Sequence, residues 1–273
     1  MARRLKVGLI GCGKVGVSFA RLLKGIAIVG IYDSSKRRLN AAAKIFKKKK
    51  KLPETMVMVA DIILIATPDD QIEPVARNLR KMGFKKTIVH FSGLLPSKVL
   101  GLKNRVSIHP LGSFADFKMA YARMKEAVFI IEGDRSGLKA GRQLIKSFSG
   151  SSQIIKPEDK PYYHLACVLS SNFLVALFSM VEKLKAKRGL RVDMLPLFES
   201  TIENLRSFGT KEAATGPIIR GDIETVKAHV RMLKKLGIDY RLLYLLMSRE
   251  LLTLGSSDNK DLLSGELSSL FHQ

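Results

Sequence analysis

The sequence predicts a doubly wound α/β domain followed by an all-helical domain. Up to about residue 156, short apolar runs alternate with segments of helical periodicity, which is the pattern of a parallel sheet with helices on both faces. From Pro157 onward the apolar residues keep helical spacing throughout. We therefore expect domains over residues 1–156 and 157–273, and a chain of 273 residues is long enough to give each its own core.

A strand, a glycine turn and a helix open the chain. Residues 7–10 are apolar, and Gly11, Gly13 and Gly16 follow in the GxGxxG spacing. In a dinucleotide-binding fold the first glycine makes the tight turn, the second lets the backbone approach the pyrophosphate, and the third lets the helix pack on the strand. Because the free N–H groups at the helix start favour phosphate, we expect Lys14 and Val15 to line the same site.

An acidic residue stands where the adenosine ribose would be held. The apolar run over residues 26–32 ends at Asp33, and an acid about 20 residues after the first glycine is typical of this role. We place Asp33 and Ser34 at the cofactor. A carboxylate here repels the 2′-phosphate of NADP, whereas the basic residues 36–38 would attract it, so the cofactor is NAD or NADP, with NAD favoured. The alternative is an ordinary strand-to-helix turn without a ligand.

Three later strands end in polar or turn-forming residues. The apolar run over residues 62–66 leads to Thr67 and Pro68, which we expect at the cofactor because ligands collect at the carboxyl ends of parallel strands. Two further strands end near Ser92 and His109. We expect both side chains to bind substrate, although a histidine at a strand end is often structural.

The helical half carries the candidate catalytic residues. We predict one long helix over residues 162–188, on which His164, Ser171 and Asn172 share a face at 100° per residue, with Lys160 one turn upstream. Reduction of a carbonyl or imine needs a donor for the charge that develops on oxygen or nitrogen. We therefore assign His164, Asn172 and Lys160 to catalysis and Ser171 to substrate binding. The alternative is that these groups satisfy one another or hold the helix against the first domain.

A turn-rich segment over residues 215–222 carries Arg220. A guanidinium binds a carboxylate through two parallel hydrogen bonds, so we expect Arg220 to anchor an acidic substrate. An ion pair with Asp222 is the alternative.

Charge is unevenly distributed along the chain. Its formal net charge is +23, and residues 1–156 carry 31 basic and 10 acidic side chains against 16 and 14 in residues 157–273. A basic half attracts polyanions, but no zinc module or recognition helix is present, so specific nucleic-acid binding is not expected. Cys12 and Cys167 are too few for a disulfide framework or a metal site. With no leader or membrane-spanning run expected, the cytoplasm is the predicted compartment.

Three segments give a resemblance to a known family. The sequences IHPLGSF at 108–114, YHLACVLSSN at 163–172 and TGPIIRGD at 215–222 resemble the signatures of Rossmann-like oxidoreductases whose C-terminal half is a domain of unknown function. That family is similar to pyrroline-5-carboxylate reductase, ketopantoate reductase, and the 3-hydroxyisobutyrate and 6-phosphogluconate dehydrogenases. The resemblance covers nearly the whole chain.

The resemblance implies an N-terminal NAD(P) domain, a helical C-terminal domain like that of 6-phosphogluconate dehydrogenase, which often dimerises, and a substrate cleft between them. In the dehydrogenases a lysine and an asparagine on the first long helix serve the chemistry. Here His164 and Asn172 occupy comparable positions, and the lysine-to-asparagine spacing of those enzymes is absent.

We therefore expect an NAD(P)-dependent oxidoreductase that acts on a small 2-oxo acid, 2-hydroxy acid or imine. A homodimer through the helical domain is expected, since that half is apolar and nearly neutral. Two alternatives remain: a non-catalytic, redox-sensing dinucleotide-binding module, and a nucleic-acid-binding protein.

Overall fold

The computed structural model describes residues 4–47, 49–255 and 260–270, in two compact units, Met1–Glu182 and Lys183–Gln273. The units divide later than the expected boundary after residue 156. The reason lies in the segment after that boundary: Lys160 and Tyr163 bond to residues of the sheet, so the start of the helical half packs with the first unit.

The first unit contains a seven-stranded, mostly parallel sheet in the order β2-β1-β3-β4-β5-β6-β7. Only the β5–β6 pair is antiparallel, and β7 runs parallel to β6. The strands are β1 (Lys6–Ile10), β2 (Ala27–Tyr32), β3 (Ile62–Ile65), β4 (Thr87–His90), β5 (Arg105–Pro110), β6 (Val128–Gly133) and β7 (Ser151–Ile154). The predicted doubly wound sheet is confirmed. Strand β7 was not predicted, because three of the four residues in its sequence SSQI are polar and the strand lies at an exposed edge.

Helices cover both faces of this sheet. They are α1 (Lys14–Leu22), α2 (Lys36–Ile45), α3 (Pro53–Val59), α4 (Asp69–Lys81), α5 (Phe117–Glu126) and α6 (Arg135–Lys146). Two apolar clusters form the core, one on each face, and every residue of β3 is buried between them. A continuous apolar strand is what a sheet covered on both sides requires.

The long helix predicted over residues 162–188 is interrupted. It forms α7 (Lys160–Ser170) and α8 (Asn172–Ala186), separated by Ser171, whose backbone angles are φ −125° and ψ −66°. The Ser171 hydroxyl lies 2.7 Å from the carbonyl oxygen of Cys167, four residues earlier. Such a bond competes with the helical ladder and bends helices. The prediction of one continuous helix was therefore wrong, and the shared face of His164, Ser171 and Asn172 stays a prediction.

The remaining helices are α9 (Leu195–Ala213), α10 (Pro217–Arg220), α11 (Ile223–Leu233), α12 (Ile238–Leu254) and α13 (Lys260–Ser268). An apolar cluster that includes Val226, Val230 and Leu263 holds α10 to α13 together. Helix α9 differs from them, because it buries none of its 19 residues. The expected helical half is confirmed, and α9 is a helix whose apolar side chains face solvent.

One described segment, Pro157–Ala186, is long and apolar enough to cross a membrane by length and composition, and its most apolar window is 0% buried. Two features do not fit a span. The segment is broken at Ser171, and Lys160 near its start bonds to Ser107 of the sheet.

Candidate dinucleotide and proton-transfer site

The glycine turn has the geometry that its spacing predicts. Gly11 has a φ of +97°, and a Cβ atom there would lie 2.4 Å from the carbonyl oxygen of Ala66. At Gly16 a Cβ would lie 2.6 Å from the Cβ of Ala66, so this glycine lets α1 pack against the sheet. No atom lies within 4 Å of a Cβ at Gly13. The first and third glycines thus serve the fold, and the second leaves an open approach to the start of α1.

A cavity of about 590 Å³ lies over this turn. Eight of the nine predicted cofactor residues line it, together with Ser92: Gly11, Gly13, Lys14, Val15, Asp33, Ser34, Thr67 and Pro68. The ninth, Gly16, lies behind the turn. Helix α1 begins without a side-chain cap, so its first N–H groups are free for an anion.

Lys14 connects the turn to the loop after β5. Its Nζ donates to the carbonyl oxygens of Ala115 at 2.7 Å and Phe114 at 3.3 Å, and Phe114 lines the same cavity. The ammonium therefore lies at the cavity wall with its positive charge uncompensated by these neutral acceptors.

Asp33 is bound to Arg38 and to backbone donors. Its carboxylate accepts from Arg38 Nε at 3.1 Å and Nη2 at 3.1 Å, from the N–H of Cys12 at 2.8 Å and from that of Ser35 at 2.7 Å. Burial alone would raise the pKa of Asp33, but the Arg38 hydrogen bond and the two N–H groups outweigh it and lower the pKa. The Asp33 side chain is 4% exposed and that of Arg38 50%. Both residues line the cavity, and the guanidinium is the more exposed of the two groups.

Lys160 is buried behind Ser92. Its Nζ donates to the hydroxyl oxygen of Ser107 at 2.8 Å and to the carbonyl oxygen of Ser92 at 3.1 Å, and the residue is only 1% exposed. Burial lowers the pKa of Lys160 to about 8, although the charges of Glu132 and Asp69 act in the opposite direction. In this position the ammonium holds the end of β4 to β5.

His109 and Tyr163 form a hydrogen-bonded pair beside Ser92. Nδ1 of His109 lies 2.6 Å from the Tyr163 hydroxyl, with the rings edge to face. Burial, helped by the charges of Lys160 and His164, lowers the pKa of His109 to about 4, so its ring is neutral at pH 7. Burial also raises the pKa of Tyr163, so its hydroxyl keeps its proton. The hydroxyl can therefore donate to Nδ1, which leaves the ring proton of His109 on Nε2.

Both histidines abut Gly93, the residue after the cavity-lining Ser92. A Cβ at Gly93 would lie 2.9 Å from Cδ2 of His164 and 3.1 Å from Nε2 of His109. The absence of a side chain at Gly93 therefore lets two imidazoles approach the backbone there. The Ser92 hydroxyl donates to Oδ2 of Asp69 at 2.7 Å, which connects the loop after β4 to the start of α4.

Three predicted residues make local contacts of their own. Ser171 is at the helix break, with its hydroxyl 3.0 Å from Oδ1 of Asn172, and Asn172 is exposed. Arg220 belongs to the second unit, where its Nη2 is 3.9 Å from Oδ2 of Asp222 and its side chain is 65% exposed. The ion pair that was the alternative for Arg220 is thus present but long.

Sequence reasoning missed Tyr163, Gly93 and the pairing of Arg38 with Asp33. For Arg38 a local signal existed, since an acid five residues before an arginine at a helix start can reach it. Tyr163 lies 54 residues from His109, and no periodicity connects them.

The fold and the cavity define a Rossmann-like dinucleotide-binding chain. A Rossmann-like domain matches residues 1–111, and a domain of unknown function, DUF2520, matches residues 127–251. The chain thus combines these two domains, which confirms the resemblance given by its three signature segments. No curated protein matches it.

Solved structures share this architecture. Protein TM1727 from Thermotoga maritima is 29% identical, with a TM-score of 0.75 over 92% of this chain and 99% of that one. Pyrroline carboxylate reductase from Plasmodium falciparum, with NADP bound, is 16% identical with a TM-score of 0.58 over 92% and 98%. Imine reductase BcSIRED from Bacillus cereus is 15% identical with a TM-score of 0.61 over 97% and 99%. The last two share the fold, which is one that NAD(P)-dependent oxidoreductases use.

Proposed function

We propose that this chain is an NADP-dependent reductase of small imines or 2-oxo acids, acting at the carboxyl edge of the sheet. The observation that carries the proposal is the position of the His109 and His164 rings against Gly93, one residue beyond the cofactor cavity. Donors placed beside a dinucleotide cavity are what reduction of a C=N or C=O bond requires.

The residues of this chain supply the proton side of the reaction. Reduced nicotinamide, when bound, supplies the hydride. Tyr163 holds His109 in the tautomer with its proton on Nε2, so a neutral imidazole donates a hydrogen bond where charge develops on the substrate. The His164 ring also lies against Gly93, and His164 is our proton donor. Lys160 acts as a positioning residue, through the Ser92 carbonyl.

The test is turnover of NADPH with a panel of imines and 2-oxo acids. We expect His164→Ala to lower kcat about a hundredfold or more while the Kd for NADPH stays within about threefold. The matched control is His229→Ala, which removes an exposed histidine of the second unit and should change neither kcat nor the Kd for NADPH. Equal loss of turnover and cofactor affinity in His164→Ala would refute this role for His164, and a protein that binds NADPH but reduces no member of the panel would favour the redox-sensing module.

We also propose that the cofactor is NADP, although Asp33 favoured NAD from the sequence. Both carboxylate oxygens of Asp33 accept hydrogen bonds from this chain, so the carboxylate is engaged with Arg38 and the guanidinium is free to bind a 2′-phosphate. Arg38→Ala should weaken NADPH binding about tenfold, equivalent to 1.4 kcal/mol, with NADH affinity nearly unchanged. Arg77→Ala, with a similarly exposed side chain, is the control. Tighter binding of NADH than NADPH to the unmodified protein would contradict the proposal.

We also propose that a second copy of the chain covers the exposed apolar surface of helix α9. Helix α9 buries nothing, and its Leu197 and Phe208 are each 62% exposed. Exposed apolar surface of this kind marks an interaction site, and the nearly neutral helical half does not repel its own copy. Sedimentation at micromolar concentration should show a dimer that Phe208→Glu converts to monomer, whereas Met232→Glu on α11 should not. A monomeric unmodified protein would exclude the dimer.

Arg220 stays our candidate for the carboxylate of an acidic substrate, and the test is a rise in KM without a fall in kcat in Arg220→Ala. The cytoplasm is the compartment that we propose, because Cys12 and Cys167 are both free thiols.

A further inference from the structure

A second large groove lies at the opposite edge of the sheet from the glycine turn. It has a volume of about 1330 Å³. Arg4 and Lys24, which line it, precede β1 and β2, whereas the dinucleotide cavity lies where these strands end. The second wall of the groove is helix α6.

Helix α6 presents a row of cations to this groove. Arg135, Lys139, Arg142 and Lys146 recur at intervals of four, three and four residues, so they share one face. At 1.5 Å per residue the row is about 16 Å long. The other face of α6 packs on the sheet through Leu144 and Ile145.

The six cations of the groove are not neutralised within it. Arg4 is oriented by bonds from its Nε and Nη2 to the carbonyl oxygens of Gly25 and Ile26, which leave its charge in place. No described residue that lines the groove is acidic. In the described part of the chain, the four cations of α6 form no ion pair. These charges belong to the basic excess of the first half, which the proposed reductase activity does not require.

The lining favours a chain of phosphates over other polyanions. Protein interfaces are built around apolar and aromatic side chains, whereas the apolar lining residues Leu5, Ile26 and Leu138 are packed in the core and no aromatic residue is present. A lipid surface is flat, and this surface is concave. Nucleic-acid interfaces are polar and strongly positive, and guanidinium groups fit phosphate oxygens.

We propose that this groove binds the sugar–phosphate backbone of a single nucleic-acid strand, without regard to base sequence. A concave groove with cations on both walls follows one backbone, and the amide of Gln143 adds a hydrogen-bond donor. Without an aromatic platform the bases contribute no stacking, so the affinity comes from the phosphates. This is an activity separate from the reductase site and does not depend on it.

The experiment is fluorescence anisotropy with a labelled oligothymidine of about 20 nucleotides, titrated at several salt concentrations. Six phosphate contacts predict a slope of log K against log salt of about −4. In Lys139→Ala/Arg142→Ala/Lys146→Ala the slope should fall to about −2, with a loss of affinity of tenfold or more at low salt. Alanine keeps the helix, so the variant should fold.

The matched control is Lys49→Ala/Lys81→Ala/Lys85→Ala, which removes three exposed charges elsewhere and should leave the Kd within about threefold. Saturating NADPH should not change oligonucleotide binding, and a mixed base sequence should bind as oligothymidine does. Equal losses in the two triple variants would overturn the proposal, because net charge alone would then explain binding. Stronger competition by polyglutamate, by phosphatidylserine vesicles or by duplex of the same length would overturn it in favour of those partners.

Discussion

The described part of the chain contains two histidine–tyrosine pairs of nearly the same geometry, one in each unit. In the first, Nδ1 of His109 is 2.6 Å from the Tyr163 hydroxyl, with ring centroids 5.5 Å apart. In the second, Nδ1 of His229 is 2.9 Å from the Tyr244 hydroxyl, with centroids 5.7 Å apart. The contact itself does not distinguish them.

The surroundings of the two pairs distinguish them. His109 lies beside Gly93 and the second imidazole of His164, and the charge of the buried Lys160 helps to keep it neutral. His229 is exposed on α11, and its unit has no glycine turn of the GxGxxG type. Burial and the neighbouring groups, rather than the contact itself, therefore make the first pair a candidate site.

The largest effect is expected for Lys160, measured as stability against pH. Its pKa is lowered from 10.5 to about 8 in the folded protein, so between these values the unfolded chain binds more protons. Stability should therefore rise with pH across this window, by up to about 3 kcal/mol at 1.36 kcal/mol per pH unit. Below pH 8 both states carry the proton, and the cost of burying it is present in full.

Urea unfolding from pH 7 to 11 isolates this contribution as the difference between the unmodified protein and Lys160→Met. The control is Lys227→Met, which removes a partly exposed lysine of α11; its hydrogen bond to Glu224 raises the pKa of Lys227, so this lysine does not share the lowered pKa of Lys160. If the difference in unfolding free energy between the unmodified protein and Lys160→Met does not change with pH, the ammonium stays charged in the folded protein.

How much the sequence predicted depends on the distance along the chain between interacting residues. Gly11, Gly13 and Gly16 act within six residues, and their turn was predicted in detail. The Asp33–Arg38 pair spans five residues, yet the acid was interpreted alone, because a sequence does not show which of several nearby partners a carboxylate takes. The site around His109 joins a residue of β5, the loop after β4 and helix α7, so only the folded chain assembles it.

The helix break shows a second limit. Ser171 lies in a run of apolar residues with continuous helical periodicity, and periodicity records side-chain polarity rather than backbone bonds. The bond of its hydroxyl to the Cys167 carbonyl accompanies a break in the helix that the pattern does not record.

Tyr163→Phe is expected to have the next largest effect. Without the hydroxyl, Nδ1 of His109 loses its hydrogen-bond donor, and nothing then favours the tautomer with the proton on Nε2. We expect kcat to fall about tenfold to a hundredfold with the NADPH Kd unchanged, and the two tautomers should become distinguishable by nitrogen chemical shifts in labelled protein. Tyr244→Phe should leave kcat and the His109 shifts unaltered. Identical kinetics in the two variants would show that the first pair is structural.

Gly93→Ala should have the smallest effect, and it tests whether the position of the rings matters. The new Cβ would meet atoms of His164 at 2.9 Å and His109 at 3.1 Å, which are the ends of movable side chains, so the rings shift and the backbone stays. A displacement of this size should reduce kcat about tenfold without lowering thermal stability. Gly265→Ala on α13, where no atom lies within 4 Å of the new Cβ, is the control. If Gly93→Ala lowers stability and leaves kcat unchanged, the two imidazoles pack against the turn without serving the reaction.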